Sequence, residues 1–142
     1  CKAPFYNDAI GLISKIILNK ENKISGLIYF SLLEIRNYLG LKTEIVKSSG
    51  IYSNKELKGE ERIIDICLKE NPAFYINPIG GAELYSKENF ADKGISLNFL
   101  KTKKIEYQQF GNEFFDSLSI IDVLMFNPKE KVLEFLNEYE IC

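Results

Sequence analysis

Ala9, Leu12, Ile13, Ile16 and Ile17 recur at the i, i+3, i+4 spacing that lines one face of an amphipathic helix, with Asn7 or Asp8 in front as a cap. The largely polar residues 19–25 break that pattern. It resumes over residues 27–39, where Ile28, Leu32, Ile35 and Leu39 share a face, and Gly40 is placed to stop the helix in a left-handed conformation. Residues 43–47, Thr-Glu-Ile-Val-Lys, then read as a short strand ending at Ser48-Ser49-Gly50. A polar loop over 51–59 precedes a third helical stretch over 60–69, with Ile63, Ile64, Cys67 and Leu68 on its apolar side.

Asn71-Pro72 ends that helix, because the residue before a proline is pushed out of the helical region. The compact apolar run Ala73-Phe74-Tyr75-Ile76 reads as a strand, and Asn77-Pro78-Ile79-Gly80-Gly81 follows it directly. A short helix over 82–92 leads through Gly94 to a further strand over 95–100. The remainder is a loop holding Tyr107-Gln108-Gln109, a helix from about Ser119, and a last helix over 128–139. Pro128 suits its first turn, and Val132, Leu133, Phe135 and Leu136 supply its apolar face.

Strands near 43–48, 73–77 and 95–100 separated by helices predict an α/β fold: a parallel sheet with crossover helices on its faces, in three layers. The 142 residues fit a single α/β domain, and at 46% apolar and 27% charged residues the chain can bury a core without disulfide or metal staples. A net charge of −2 argues against nucleic acid as a partner. No histidine is present, and Cys1, Cys67 and Cys142 form no CxxC pair. This argues against structural zinc and excludes any Ser-His or Cys-His nucleophile within this sequence, and no cofactor is implied. Cys67, among isoleucines and a leucine, reads as a small core residue, and an odd thiol count fits a reducing cytoplasm. No apolar run approaches the roughly 18 residues that span a bilayer. The chain opens on Cys1 instead of Met, so it is expected to be a piece of a longer protein.

Ligands of open parallel sheets bind beyond the carboxyl ends of the strands. That rule selects Ser48-Ser49-Gly50, Asn77 to Gly81, and residues 101–109. Gly80 and Gly81 would let backbone amides approach a ligand just before a helix, although a tight turn is the commoner use of such a pair. Ser48 and Ser49 offer hydroxyls to a phosphate or sugar, or simply cap the next turn. Arg62 stands near the start of its helix, where a cation gains nothing from the helix dipole; this points to an anion, against the ordinary alternative of a surface ion pair. Tyr107 and Gln109 lie in a loop, where such residues serve recognition. Ser119-Ile120-Ile121-Asp122 fits a capping box. Lys101, Lys103 and Lys104 read as a solvated basic edge.

Several of these pieces, in their order, resemble WbqC-like proteins. They are Leu39-Gly40-Leu41-Lys42-Thr43, Ser48-Ser49, the run Glu61-Arg62-Ile63-Ile64-Asp65-Ile66-Cys67, and Asn77-Pro78-Ile79-Gly80-Gly81 with Tyr85, Phe90 and Gly94-Ile95. Tyr107 and Gln109 are similar to the family's Tyr-x-Gln element, and Phe115 with Leu118 to Asp122 is similar to its closing signature. Lys2-Ala3-Pro4-Phe5-Tyr6 is similar to its Lys-Ala-Pro-Tyr-Phe step, while the family's N-terminal Gln-Pro-x-Tyr-x-Pro block has no counterpart.

The resemblance implies a cytoplasmic role in building O-antigen-like surface polysaccharide, as an amino-acid, acyl or glycosyl-type transferase. Its small-molecule substrate would be a nucleotide-sugar or other phosphorylated compound. Tyr85 and Asp122 join the candidate binding residues Ser48, Ser49, Arg62, Asn77, Gly80, Gly81, Tyr107 and Gln109 on this ground; no catalytic residue is singled out. A non-catalytic ligand-binding or scaffold domain is the alternative. Absence of the family's first strands would leave a sheet edge or apolar helix face uncovered, which predicts a homodimer.

Overall fold

The computed structural model describes residues 2–111 and 113–142, so Cys1, counted above among the thiols, lies outside the described residues. Along the chain run α1 (Tyr6–Ile17), α2 (Ile24–Leu39), a 3-10 turn (Ser49–Tyr52), α3 (Gly59–Glu70), β1 (Tyr75–Pro78), a second 3-10 turn (Ile79–Gly81), α4 (Lys87–Ala91), β2 (Leu97–Thr102), α5 (Ile120–Phe126), α6 (Lys129–Phe135) and β3 (Tyr139–Ile141). The fold is mixed α/β, with six α-helices and one three-stranded sheet among the described residues. Its contacts divide it into two compact units, each assembled from two stretches of chain. Residues 1–47 and 104–138 make a helical unit; residues 48–103 and 139–142 make a sheet unit. None of the helices among the described residues is long and apolar enough to cross a membrane.

In the helical unit, Ala9 and Ile13 of α1, Leu39 of α2, Leu124 of α5 and Val132 of α6 form the buried cluster. Leu12, Ile35 and Val123 pack against it, and Lys15 of α1 pairs with Glu34 of α2 at 2.6 Å. α2 stops as expected: Gly40 is left-handed (φ 75°), its amide donates to the Asn37 carbonyl, and the Leu41 amide donates to the Arg36 carbonyl. Both bonds define a Schellman cap, which glycine makes without a Cβ penalty. The apolar face read from the sequence is only half used, since Ile28 is 53% and Leu32 47% exposed.

The strand expected at 43–48 does not form; these residues are irregular and mostly exposed. Ile45 and Val46 offer only two apolar side chains, and Arg36 Nη1 donates to the Thr43 carbonyl at 3.0 Å, so one ladder acceptor is already occupied. A strand without a partner leaves its remaining backbone groups to water.

In the sheet unit, strand order is β1-β2-β3. β1 and β2 are parallel, with Tyr75 opposite Leu97 and Asn77 opposite Phe99. α3 and α4 lie along the chain before and after β1, and Cys67, Phe90, Ile95, Leu97 and Phe99 make the buried cluster. Phe90 stacks on Tyr75 with ring centroids 5.6 Å apart. Glu60 in the first turn of α3 accepts from the Ser86 amide (2.6 Å) and Asn89 Nδ2 (2.7 Å), tying α3 to the start of α4.

The third strand corrects the all-parallel expectation. β3 runs antiparallel to β2, with Leu100 opposite Ile141, and it begins at Tyr139, where the spacing predicts the end of the last helix. α6 instead ends at Phe135. Asn137 Nδ2 donates to the Leu133 carbonyl, a side-chain bond that competes with continued helix. Aromatic and β-branched residues at Tyr139 and Ile141 then favour a strand.

Candidate functional site

The candidate residues fall into three groups, two in the sheet unit and one in the helical unit. In the first, Ser48 and Ser49 open a loop laid against α3. Ser48 Oγ accepts from the Gly50 amide at 3.1 Å and caps the 3-10 turn, so the capping reading of this residue holds. Ser49 does something else. Its Oγ accepts from Arg62 Nη2 at 2.9 Å, while Arg62 Nε donates to Asn54 Oδ1 at 3.2 Å. Asn54, 1% exposed, donates in turn to Asp65 Oδ2 (2.6 Å) and to the Arg62 carbonyl (3.4 Å). Lys69 Nζ completes the set by donating to Asp65 Oδ2 (2.6 Å) and to the Tyr52 carbonyl (2.8 Å).

Charge is distributed unevenly in this network. Asp65, one turn beyond Arg62, faces Lys69 and Asn54; the hydrogen bond from Lys69, then that from Asn54, hold its carboxyl below the usual carboxylate range. Arg62 is left with neutral acceptors alone and enters no ion pair among the described residues. A half-buried guanidinium held in place by two neutral side chains keeps its charge available for an oxyanion, and its planar fork suits bidentate contact. The surface ion pair weighed as the ordinary alternative for Arg62 is absent.

The second group follows β1. Asn77 Nδ2 donates to the Tyr75 hydroxyl at 2.6 Å. Gly81 is buried against the Asn77 side chain, which a Cβ would overlap, and such a Cβ would also lie 3.3 Å from Tyr85 Cε2. Tyr85 packs edge-on against Phe90, with centroids 6.1 Å apart. Gly81 is thus a packing glycine that brings Asn77 and Tyr85 together. Gly80 differs: a Cβ there meets nothing within 4 Å, so the space beside its Cα is open.

The third group lies on the loop before α5. The Tyr107 hydroxyl donates to Asp122 Oδ2 at 2.7 Å, and Gln109 Nε2 donates to the same oxygen at 2.9 Å. Gln109 also brackets Phe115, donating to its carbonyl (2.9 Å) and accepting from its amide (2.8 Å). Only half of the expected capping box forms: Ser119 Oγ accepts from the Ile121 amide at 3.2 Å, while the Asp122 carboxylate turns to Tyr107 and Gln109. Burial, with the bond to Asp122 second, raises the Tyr107 phenol above its usual pKa and keeps it a donor. Tyr107, Gln109 and Asp122 therefore act together as a clamp that closes the loop onto α5.

Beside that clamp is a cleft of about 400 Å³, lined by Lys2, Phe5, Gln108, Gln109, Phe110 and Phe126. Pro4 sets a turn in which the Tyr6 amide reaches the Ala3 carbonyl, and the Phe5 amide donates to the Met125 carbonyl (2.9 Å), fixing this segment against α5. Phe110 meets Phe126 edge-to-face at 4.7 Å. Spacing along the chain gave no reason to group Lys2, Phe110 and Phe126, nor to single out Asn54 within its polar loop. Among the described residues no three Cys, Asp or Glu side chains gather as metal ligands. Cys67 is buried, and burial raises its thiol pKa, so it is a core residue and a poor nucleophile.

The sequence profile of the WbqC-like protein family matches residues 1–134. The chain belongs to that family. No curated protein and no solved structure matches it.

Proposed function

We propose that this member of the WbqC-like family is a transferase-type domain of bacterial surface-polysaccharide biosynthesis that binds a nucleotide-sugar or other phosphorylated substrate in the cytoplasm. One observation carries the substrate class: Arg62 is positioned by Ser49 and Asn54 with no carboxylate bonded to it. A phosphate oxygen would accept hydrogen bonds from the guanidinium and from the Ser49 hydroxyl, with no carboxylate to displace first. The open space beside Gly80, close behind β1, leaves room for a ligand to approach the backbone there. Membership of the WbqC-like family supports the polysaccharide setting that the resemblance implies.

Thermal shift with UDP- and dTDP-sugars tests this reading. Stabilisation by the nucleotide-sugars, absent with the free sugars and lost in Arg62→Gln, is the expected result. No shift with any nucleotide-sugar up to millimolar concentration removes it.

The non-catalytic alternative is favoured by one feature. Tyr107, Gln109 and Asp122 are bonded to one another and to their own loop, which suits a binding or scaffold domain. Binding of a nucleotide-sugar without turnover would select that reading. The homodimer and a layer over the second sheet face stand as proposals beside it, supported by Ile76, Tyr139 and Ile141, each about 40% exposed or more; light scattering at high concentration tests the dimer.

A further inference from the structure

We infer that the cleft beside α5 is a binding site for a small organic monoanion, a carboxylate carried on a flat apolar body. Its walls divide by chemistry. Phe5, Phe110 and Phe126 supply aromatic faces, and Phe110, 56% exposed, leaves its ring open to a ligand. The polar side is not uniform. Gln109 has its carboxamide committed to Phe115 and Asp122 and presents no free group. Lys2 and Gln108, by contrast, make no side-chain hydrogen bond or ion pair among the described residues. The groups left for a ligand are therefore one ammonium and one carboxamide.

That inventory sets the ligand class. One ammonium balances one negative charge; a diphosphate would bring at least a second, with no other cation and no arginine in the lining to meet it. A carboxamide both donates and accepts, so Gln108 can bridge to a carboxylate oxygen or to a polar group next to it. The volume, about 400 Å³, lies at the small end of ligand clefts, which run from roughly 300 to 1,000 Å³. The turn at Pro4 and the bond from Phe5 to Met125 fix the segment just after Lys2 against α5. This site is independent of the phosphorylated-substrate reading, since the groups it offers a ligand, Lys2 and Gln108, are not among those assigned to that substrate, and its ligand differs.

Phenylacetate, titrated into the ¹⁵N-labelled chain and followed by NMR, is the probe; phenylacetamide is its neutral counterpart. Saturable shifts are expected in the amides of Lys2, Gln108, Phe110 and Phe126. Phenylacetamide should bind about fivefold more weakly, the upper end for an exposed ion pair, and Lys2→Met should erase that difference. Phe110→Ala should weaken acid and amide alike; if it unfolds the chain, Gln108→Ala supplies the second variant and should weaken the acid more. No saturation at millimolar phenylacetate, equal binding of acid and amide, or UDP saturating the same amides at lower concentration would each overturn the assignment.

Discussion

Two loops in this molecule are held down by side chains instead of by secondary structure, and they are held in chemically opposite ways. In the sheet unit, the loop after Ser48 rests on an ionic network in which buried Asn54 links Arg62 to Asp65 and Lys69. In the helical unit, the loop after Tyr107 rests on one carboxylate oxygen that receives a phenol and a carboxamide. The first network has one cation more than it has anions; the second has no cation at all. The difference teaches where an anion can be accepted without breaking structure. At Arg62 the spare charge belongs to the scaffold itself, whereas beside the Tyr107 clamp it must come from a separate residue, Lys2.

The comparison predicts unequal costs. Asn54→Ala should lower stability by about 2 kcal/mol, because it strips buried partners from both Arg62 and Asp65. Gln109→Ala, in a half-buried clamp that retains Tyr107, should cost about 1 kcal/mol. Urea unfolding measures both, and a larger loss for Gln109→Ala would reverse the ranking.

The two networks should also fail at opposite ends of the pH scale. Asp65 has a depressed folded pKa, so its contribution is present above its unfolded value of about 4 and is lost as pH falls through the folded value. Tyr107 has a raised folded pKa, so its contribution is present below about 10 and is lost as pH rises through the folded value. Melting curves of Lys69→Met should therefore converge with the parent's only in acid, and those of Tyr107→Phe only in base. Convergence of both at the same end would show that the distinction is wrong. The smallest effect is expected at Gly80, where Val should change stability by no more than about 0.5 kcal/mol while obstructing any ligand that uses its amide. Calorimetry with a nucleotide-sugar would separate those two outcomes.

Local signals in the sequence were the reliable ones. Gly40, Ser119 and Pro128 mark helix ends by backbone chemistry that needs no distant partner, and each is found at the end it marks. Residues 43–48 show the opposite case: a strand exists only if another strand pairs with it, and nothing in Thr43 to Lys47 reports that none does. β3 was hidden for the same reason, because its antiparallel partner lies some forty residues back in the chain. Among site residues, Ser49 was legible as a hydroxyl beyond an expected strand that does not form, Arg62 as a cation near a helix start, and Tyr107 with Gln109 as polar groups in a loop. Their partners Asn54 and Asp122 were not legible in those roles, since a buried hub and a diverted capping carboxylate look ordinary until the neighbouring loop is folded over them.

The order of the sheet carries a kinetic consequence. β1 and β2 are joined through α4 and can pair as soon as that short crossover closes. β3 reaches β2 only when the long span of residues 104–138, which belongs to the helical unit, has been closed. Loop-closure entropy makes this the late step of assembly, and an edge strand of three residues gains little to offset it. The exchange of bonds between Phe99 and Cys142 should therefore open first, so hydrogen–deuterium exchange at the Cys142 amide should outpace that at Tyr75, which is bonded to Ser96. The sheet would then breathe from its antiparallel edge, leaving the parallel pair that carries Asn77 and Gly80 intact.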